Sequence, residues 1–171
     1  RLVFAASKLL GLQDEYILQK LASYSGSWRR SEIIRTTKNG NILMSDYGHH
    51  PNEIRPTLTA LKSKFPEKKL FVAFQPHQYS RTRELLPEFS NAFNDADILV
   101  IPNIYFSRDK QDDVEWMTTE RLIDAIAQNH SNVINGNGLD NTLKMIQQLD
   151  EQNPNSAVIL LLGAGDIDTL R

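Results

Sequence analysis

Apolar residues recur along this chain in two alternating rhythms. Leu2, Val3, Ala6, Leu9 and Leu10 fall at helical spacing, and beyond Gly11 a second apolar face is made by Tyr16, Ile17, Leu21 and Tyr24. Residues 1–25 are therefore read as two helices, the second capped by Asp14 and stopped by Gly26-Ser27. From Ser31 the period changes. Ile33-Ile34, then Asn39-Gly40, then Ile42-Leu43 predict a β-hairpin closed by a two-residue turn.

Regular alternation follows. A helix starting near Pro51 carries Ile54, Leu58, Leu61 and Phe65 on one face, and Leu70 to Phe74 is a short buried strand. A single helix with Leu85, Leu86, Phe89 and Phe93 inward leads to a strand at Ile98 to Ile101. A helix bearing Leu122, Ile123 and Ile126, a weak strand at Val133-Ile134, a helix bearing Leu139, Leu143, Ile146 and Leu149, and a strand at Val158 to Leu162 complete the series. Continuous apolar strands alternating with amphipathic helices predict a Rossmann-like, three-layer α/β domain. Its sheet is mostly parallel with one antiparallel hairpin strand, and helices cover both faces. The opening helices have no strand of their own and are expected to belong to a preceding unit.

Composition narrows the chemistry. A length of 171 residues suits one domain with a sizeable core. The absence of cysteine removes disulfide scaffolds, thiolate nucleophiles and Cys-ligated zinc. A net charge of -2 gives no bulk attraction to nucleic acid or anionic lipid. The longest apolar run, Ala157 to Leu162, falls far short of the ~20 residues of a membrane helix. The reading is a cytoplasmic protein with no nucleic-acid or membrane partner. The eight glycines form neither G-x-x-x-x-G-K-[ST] nor G-x-G-x-x-G, so any cradle for nucleotide phosphates must lie elsewhere in a larger protein.

Polar side chains concentrate where the strands end, which is where open α/β sheets bind ligands. Ser45 to Pro51 follows the hairpin, Gln75 to Arg83 follows the next strand, and Asn103, Tyr105 and Arg108 follow the third. Gly163-Ala164-Gly165-Asp166, after the last strand, is read as a structural turn. Three of the four histidines, His49, His50 and His77, lie in the first two loops. Pro51 suits the first helical position, which puts His50 near the N-cap. Adjacent histidines point in different directions, and no His-x3-His pattern accompanies them, so no metal site is expected. Ser80 is expected to cap the next helix, placing Arg81 in its first turn, where a cation opposes the helix dipole and so suggests a ligand-facing role. Arg83 reads as a surface residue, and Lys62 to Lys69 as a solvated helix end.

The stretches D-Y-G-H-H-P at 46–51, F-Q-P-H-x-Y-S-R-T-R at 74–83 and G-A-G-D-I at 163–167, in this order and spacing, resemble the C-terminal domain of the Mur ligase family. Within it, Q-P-H-x-Y-S-R is similar to the branch that adds L-alanine to UDP-N-acetylmuramate in peptidoglycan synthesis. The resemblance implies that residues 1–27 are the helical tail of a central ATPase domain and 28–171 the C-terminal domain, with Gly26-Ser27-Trp28-Arg29-Arg30 as the turn between them. It implies ATP and Mg2+, bound mainly by the central domain, with the UDP-sugar held mainly by an N-terminal domain. It further implies that Asp46 contacts the ATP ribose and that Tyr47 and His49 line the alanine pocket. His77 and Arg81 would orient the amino acid and the acyl phosphate. His49, His77 and Arg81 are thus the expected catalytic residues. Three positions depart from the pattern: Gln78 for a common arginine, Ser45 for a frequent aspartate, and Ser31 for an aromatic. A ligase that joins a whole murein tripeptide is the second reading, and a stand-alone, non-catalytic ligand-binding module is the third.

Overall fold

The structure, a computed structural model, describes residues 1–24 and 26–171; Ser25, at the end of the first predicted helical stretch, lies outside the described residues. Two short helices, α1 (Leu2–Leu9) and α2 (Asp14–Ala22), open the chain. Gln13 is the N-cap of α2, so Asp14 sits inside its first turn instead of capping it. There its charge still meets the positive helix end. Most apolar residues of this pair face outward, Leu2 at 84% exposure and Leu9 at 90%, while Ile17 is buried.

The hairpin strands are β1 (Glu32–Thr36) and β2 (Ile42–Asp46). Their connection is longer than the predicted two-residue turn. Thr37 N donates to Asn41 O at 2.8 Å and Gly40 N donates to Thr37 O at 3.0 Å, leaving a three-residue loop with Gly40 at φ 80°. That left-handed residue is what a type I turn needs to rejoin a twisted strand pair. The expectation failed because Asn-Gly also serves this loop, with Gly in its last position.

Six strands form one sheet in the order β1-β2-β6-β3-β4-β5, where β3 is Lys69–Gln75, β4 Ile98–Ile101, β5 Val133–Asn135 and β6 Ala157–Gly163. Only β1 runs antiparallel. Side-chain alternation divides the core between two faces. Leu70, Val72 and Phe74 pack with Ile54, Leu58 and Leu61 of α3 (Pro51–Lys64) and with Phe89, Phe93, Leu122 and Ile126. Phe71 and Ala73 pack on the other face with Ile146 of α8 (Leu139–Gln152) and with Ile167. The three-layer, Rossmann-like reading holds.

Between β3 and β4 the single predicted helix is two, α4 (Tyr79–Glu84) and α5 (Leu86–Phe89). Pro87, which lacks an N–H and fixes its φ, stands at the start of the second and divides them. Two elements were not foreseen: α6 (Gln111–Trp116), which precedes α7 (Thr119–Ala127), and a 3-10 turn at Asp166–Leu170. Both are too short for a helical period to declare itself. β6 enters between β2 and β3 and runs parallel to both, so the carboxyl ends of these three strands lie side by side, at the edge where such sheets form a ligand crevice.

Candidate active site

The crevice is built around a row of rings. Tyr47 meets His49 edge-on at 5.5 Å between centroids, and His49 meets His77 at 6.1 Å. His77 in turn stacks on Tyr105 at 5.2 Å with only 22° between planes. The β2 and β3 loops are thereby joined to the loop after β4. Tyr47 is also covered by two cations, with the Arg29 guanidinium 4.9 Å and that of Arg30 5.5 Å from its ring centre. Such stacking orders a half-buried phenol without using its hydroxyl.

The adjacent histidines do different work. His50 is the N-cap of α3, and its Nδ1 accepts from Asn52 N at 3.1 Å. Glu53 completes a capping box by accepting from the backbone of His50 at 3.3 Å. Burial alone would raise the Glu53 carboxyl, but the N–H groups of His49 and His50 and nearby positive charge hold it below the ordinary value. His49 instead turns toward His77, its Nδ1 lying 3.1 Å from Tyr47 O. The fourth histidine, His130, is structural: Nε2 lies 2.9 Å from Ala96 O, and Nδ1 accepts from Asn132 N.

His77 carries the clearest electrostatic signature. Burial, then the positive charge of Arg81, then His49 push its pKa below the ordinary histidine value, with Asp109 opposing them. The neutral form of the ring is therefore favoured, and its buried Nδ1 has no hydrogen-bond partner among the described residues. Arg81 is half-buried, and its side chain enters no ion pair or hydrogen bond among the described residues. The helix dipole does not single Arg81 out. Gln78, not Ser80, is the N-cap of α4, and a six-residue helix places Arg81 in its first and last turns together. What singles Arg81 out is a guanidinium beside an imidazole, with no carboxylate among the described residues paired to it. Arg83 behaves as a surface residue, paired with Asp113 at 3.2 Å and lying 4.6 Å over Trp116.

Asp46 ends β2 and is buried, with Oδ1 accepting from Gly48 N at 2.8 Å and Oδ2 from Ser31 N at 2.7 Å and Ser31 Oγ at 3.3 Å. Ser31 therefore does for Asp46 what an aromatic at that position cannot. Ser45 likewise has a partner, its hydroxyl lying 2.6 Å from the buried carboxylate of Asp168. A second carboxylate at position 45 would meet like charge there.

Several contributors escaped the sequence reading. Gln75, fully buried, donates from Nε2 to Asp166 Oδ1 at 2.6 Å and accepts Ile167 N at 2.9 Å. The Gly163–Asp166 turn is thus structural, as expected, and is fastened to the Q-P-H stretch. Arg29, 5% exposed, donates to the carbonyls of Gly163 and Gly165. Gln78 adopts φ 83° and ψ 124°, a conformation that costs a non-glycine residue about 1–3 kcal/mol and marks a loop under tension. Gln75 and Gln78 lie within the quoted 74–83 stretch, but the role of each of these residues depends on a partner remote in sequence. Among the described residues no cluster of three or more His, Asp or Glu is arranged to hold a metal ion. No helix among them is long and apolar enough to cross a membrane.

Fold and site together define a doubly wound α/β domain with its polar loops gathered at the carboxyl edge of its sheet. The chain belongs to the Mur ligase family, matching the domain described as Mur ligase, glutamate ligase domain, over residues 29–165. It is 40% identical over 167 residues to the UDP-N-acetylmuramate–L-alanine ligase of Geobacter sulfurreducens, covering 95% of this chain and 34% of that protein. The chain thus spans about a third of the length of the curated relatives it matches. Its fold is shared with the UDP-N-acetylmuramate-alanine ligase of Thermotoga maritima, at TM-score 0.70 and 23% identity over 98% of this chain and 34% of that one. It is shared too with a murein peptide ligase from Psychrobacter arcticus, at TM-score 0.68 and 18% identity over 98% of this chain and 33% of that one.

Proposed function

We propose that this chain is the C-terminal domain of an ATP-dependent ligase that joins L-alanine to UDP-N-acetylmuramate in peptidoglycan synthesis, in the cytoplasm. The observation that carries the proposal is the convergence of Tyr47, His49, His77 and Arg81 on one crevice, with Arg81 free of any acidic partner among the described residues. The relatedness to named L-alanine ligases supports it. Residues 1–27 are then the tail of the central ATPase domain and 28–171 the C-terminal domain. The phosphate-binding loop, the Mg2+ ligands and most contacts to the UDP-sugar belong to the other two domains.

ATP supplies the phosphoryl group that turns the muramoyl carboxylate into an acyl phosphate. The residues of this chain receive and orient what comes next. A carboxylate offers about four acceptor positions, and the donors at Asp46 fill three, which leaves one for a ribose hydroxyl. Arg81 presents a planar fork to the alanine carboxylate or to charge developing on the phosphate. His77, its pKa lowered by burial and by the neighbouring Arg81, stands beside that guanidinium and orients the amino group for attack. Tyr47 and His49 wall the small side chain. Closure of the domain over the intermediate keeps water from hydrolysing it.

The test uses the purified full-length protein with ATP and UDP-N-acetylmuramate, reading phosphate release. L-alanine is expected to trigger release. Release with a murein tripeptide alone would assign the protein to the murein-peptide branch, and a full-length sequence without G-x-x-G-K-[ST] would contradict the ligase reading altogether.

A further inference from the structure

Helix α4 carries Arg81 and follows His77 directly, yet its own sequence does little to hold it. It is six residues long, and its N-cap, Gln78, makes no side-chain capping bond and sits in a strained left-handed conformation. What holds it is the segment after β4. Tyr105 O accepts Gln78 N at 2.9 Å, and Tyr105 N donates to Pro76 O at 2.8 Å. Asp109 Oδ1 accepts Ser80 N at 2.9 Å and Ser80 Oγ at 3.1 Å, while Oδ2 accepts Ser107 N at 3.1 Å. At the far end of α4, Arg83 is pinned by Asp113 and Trp116 of α6. Both ends of the helix are fastened to residues 105–116, and Arg81 between them is left without an ionic partner among the described residues.

We propose that Asp109 is a positioning residue of the ligase: its carboxylate holds the first turn of α4, next to the strained Gln78, so that His77 and Arg81 address the same reacting group. The proposal rests on the ligase reading above and deepens it. An amide at position 109 would accept the same Ser80 N–H, but only a carboxylate also supplies negative charge. The charged and titratable groups facing His77 are Arg81 from α4, His49 from the β2–α3 loop and Asp109 from the loop after β4, with Tyr105 stacked on the ring. Asp109 is the one negative charge among them. Burial alone would raise its carboxyl, but the N–H groups of Ser80, Ser107 and Tyr79 and the Ser80 hydroxyl outweigh burial and keep it ionised.

The experiment compares Asp109→Ala and Asp109→Asn in the full-length enzyme. Asp109→Ala is expected to lower kcat/KM for L-alanine by about tenfold or more while the KM for ATP stays within about twofold, because α4 is misplaced while the nucleotide site is untouched. Asp109→Asn is expected to keep most activity, yet His77, followed by NMR of histidine-labelled enzyme and assigned with His77→Gln, titrates at lower pH than in the wild type. A folded Asp109→Ala enzyme with wild-type kcat/KM for L-alanine would overturn the proposal. So would an Asp109→Asn enzyme whose His77 titrates as in the wild type. Should Asp109→Ala fail to fold, the Asn titration decides alone. A wild-type enzyme with no L-alanine-dependent phosphate release would instead overturn the ligase reading, and the titration would still decide the placement of Asp109.

Discussion

At the scale of single residues, two side chains of one type sit next to each other in sequence and serve different ends. His50 caps α3 through Nδ1, and His49 joins the ring row. The D-Y-G-H-H-P and Q-P-H-x-Y-S-R stretches announce these residues in the sequence because they cluster at strand ends. Gln75 and Arg29 lie inside quoted stretches, but what they bind was not legible, since their partners are tens of residues away; Asp109 was not legible at all, because nothing local distinguishes a site-building carboxylate from a solvated one. Arg81→Ala separates function from structure. Lacking an ionic partner among the described residues, it is expected to change stability by no more than about 0.5 kcal/mol. Turnover of the full-length ligase with L-alanine should fall about 10²-fold. Denaturant unfolding beside steady-state kinetics checks both. Gly165→Ala tests the opposite kind of position. An added Cβ would stand 2.8 Å from Tyr105 Cγ and closer still to Gln75 Oε1, so the Gln75–Ile167 bond or the Tyr105 ring must move. A loss of about 1–3 kcal/mol is expected in urea unfolding, with weakened alanine use in the full-length enzyme.

Among elements, strongly periodic segments were readable and short ones were not. α3, α8 and the central strands announced themselves through continuous apolar spacing. α4, α5 and α6 did not, because six residues or fewer hold too little of a helical period and their order comes from contacts across the crevice. The hairpin shows how tertiary contacts complete a local signal. Asp150 at the end of α8 accepts from Thr37 Oγ1 at 2.7 Å, Asn39 Nδ2 at 2.6 Å and the fully buried Asn41 Nδ2 at 2.8 Å. Asp150→Ala strips these donors of an acceptor and is expected to cost about 2–3 kcal/mol. The same carboxyl sets a pH dependence. Burial would raise it, but the Thr37, Asn41 and Asn39 donors and Lys38 hold it below 3.8. Asp97 is likewise lowered, by Lys62 and Leu70 N against burial. For groups lowered on folding, the stabilisation is complete above the unfolded pKa of about 4 and is lost as pH falls through the folded values. Urea midpoints should therefore be level near neutrality and drop in acid below that value, and less steeply in Asp150→Asn.

For the molecule as a whole, the class of fold was legible and the strand order was not. Alternation of apolar strands and amphipathic helices requires a mostly parallel sheet, but only the structure shows β6 entering between β2 and β3. That insertion makes the crevice, because it brings the ends of three strands, and the loops they carry, to one place. The exposed apolar pair α1–α2 fits the proposed division of the chain, in which those helices pack within a central domain. The central claim is that this crevice serves the joining of L-alanine to UDP-N-acetylmuramate. Mass spectrometry of the nucleotide-sugar after incubation with the full-length protein, ATP, Mg2+ and L-alanine tests it most directly. A product heavier by one alanine residue, formed by the wild type and strongly reduced in Arg81→Ala, is the predicted result. An unchanged nucleotide-sugar mass with active, folded protein would contradict the account.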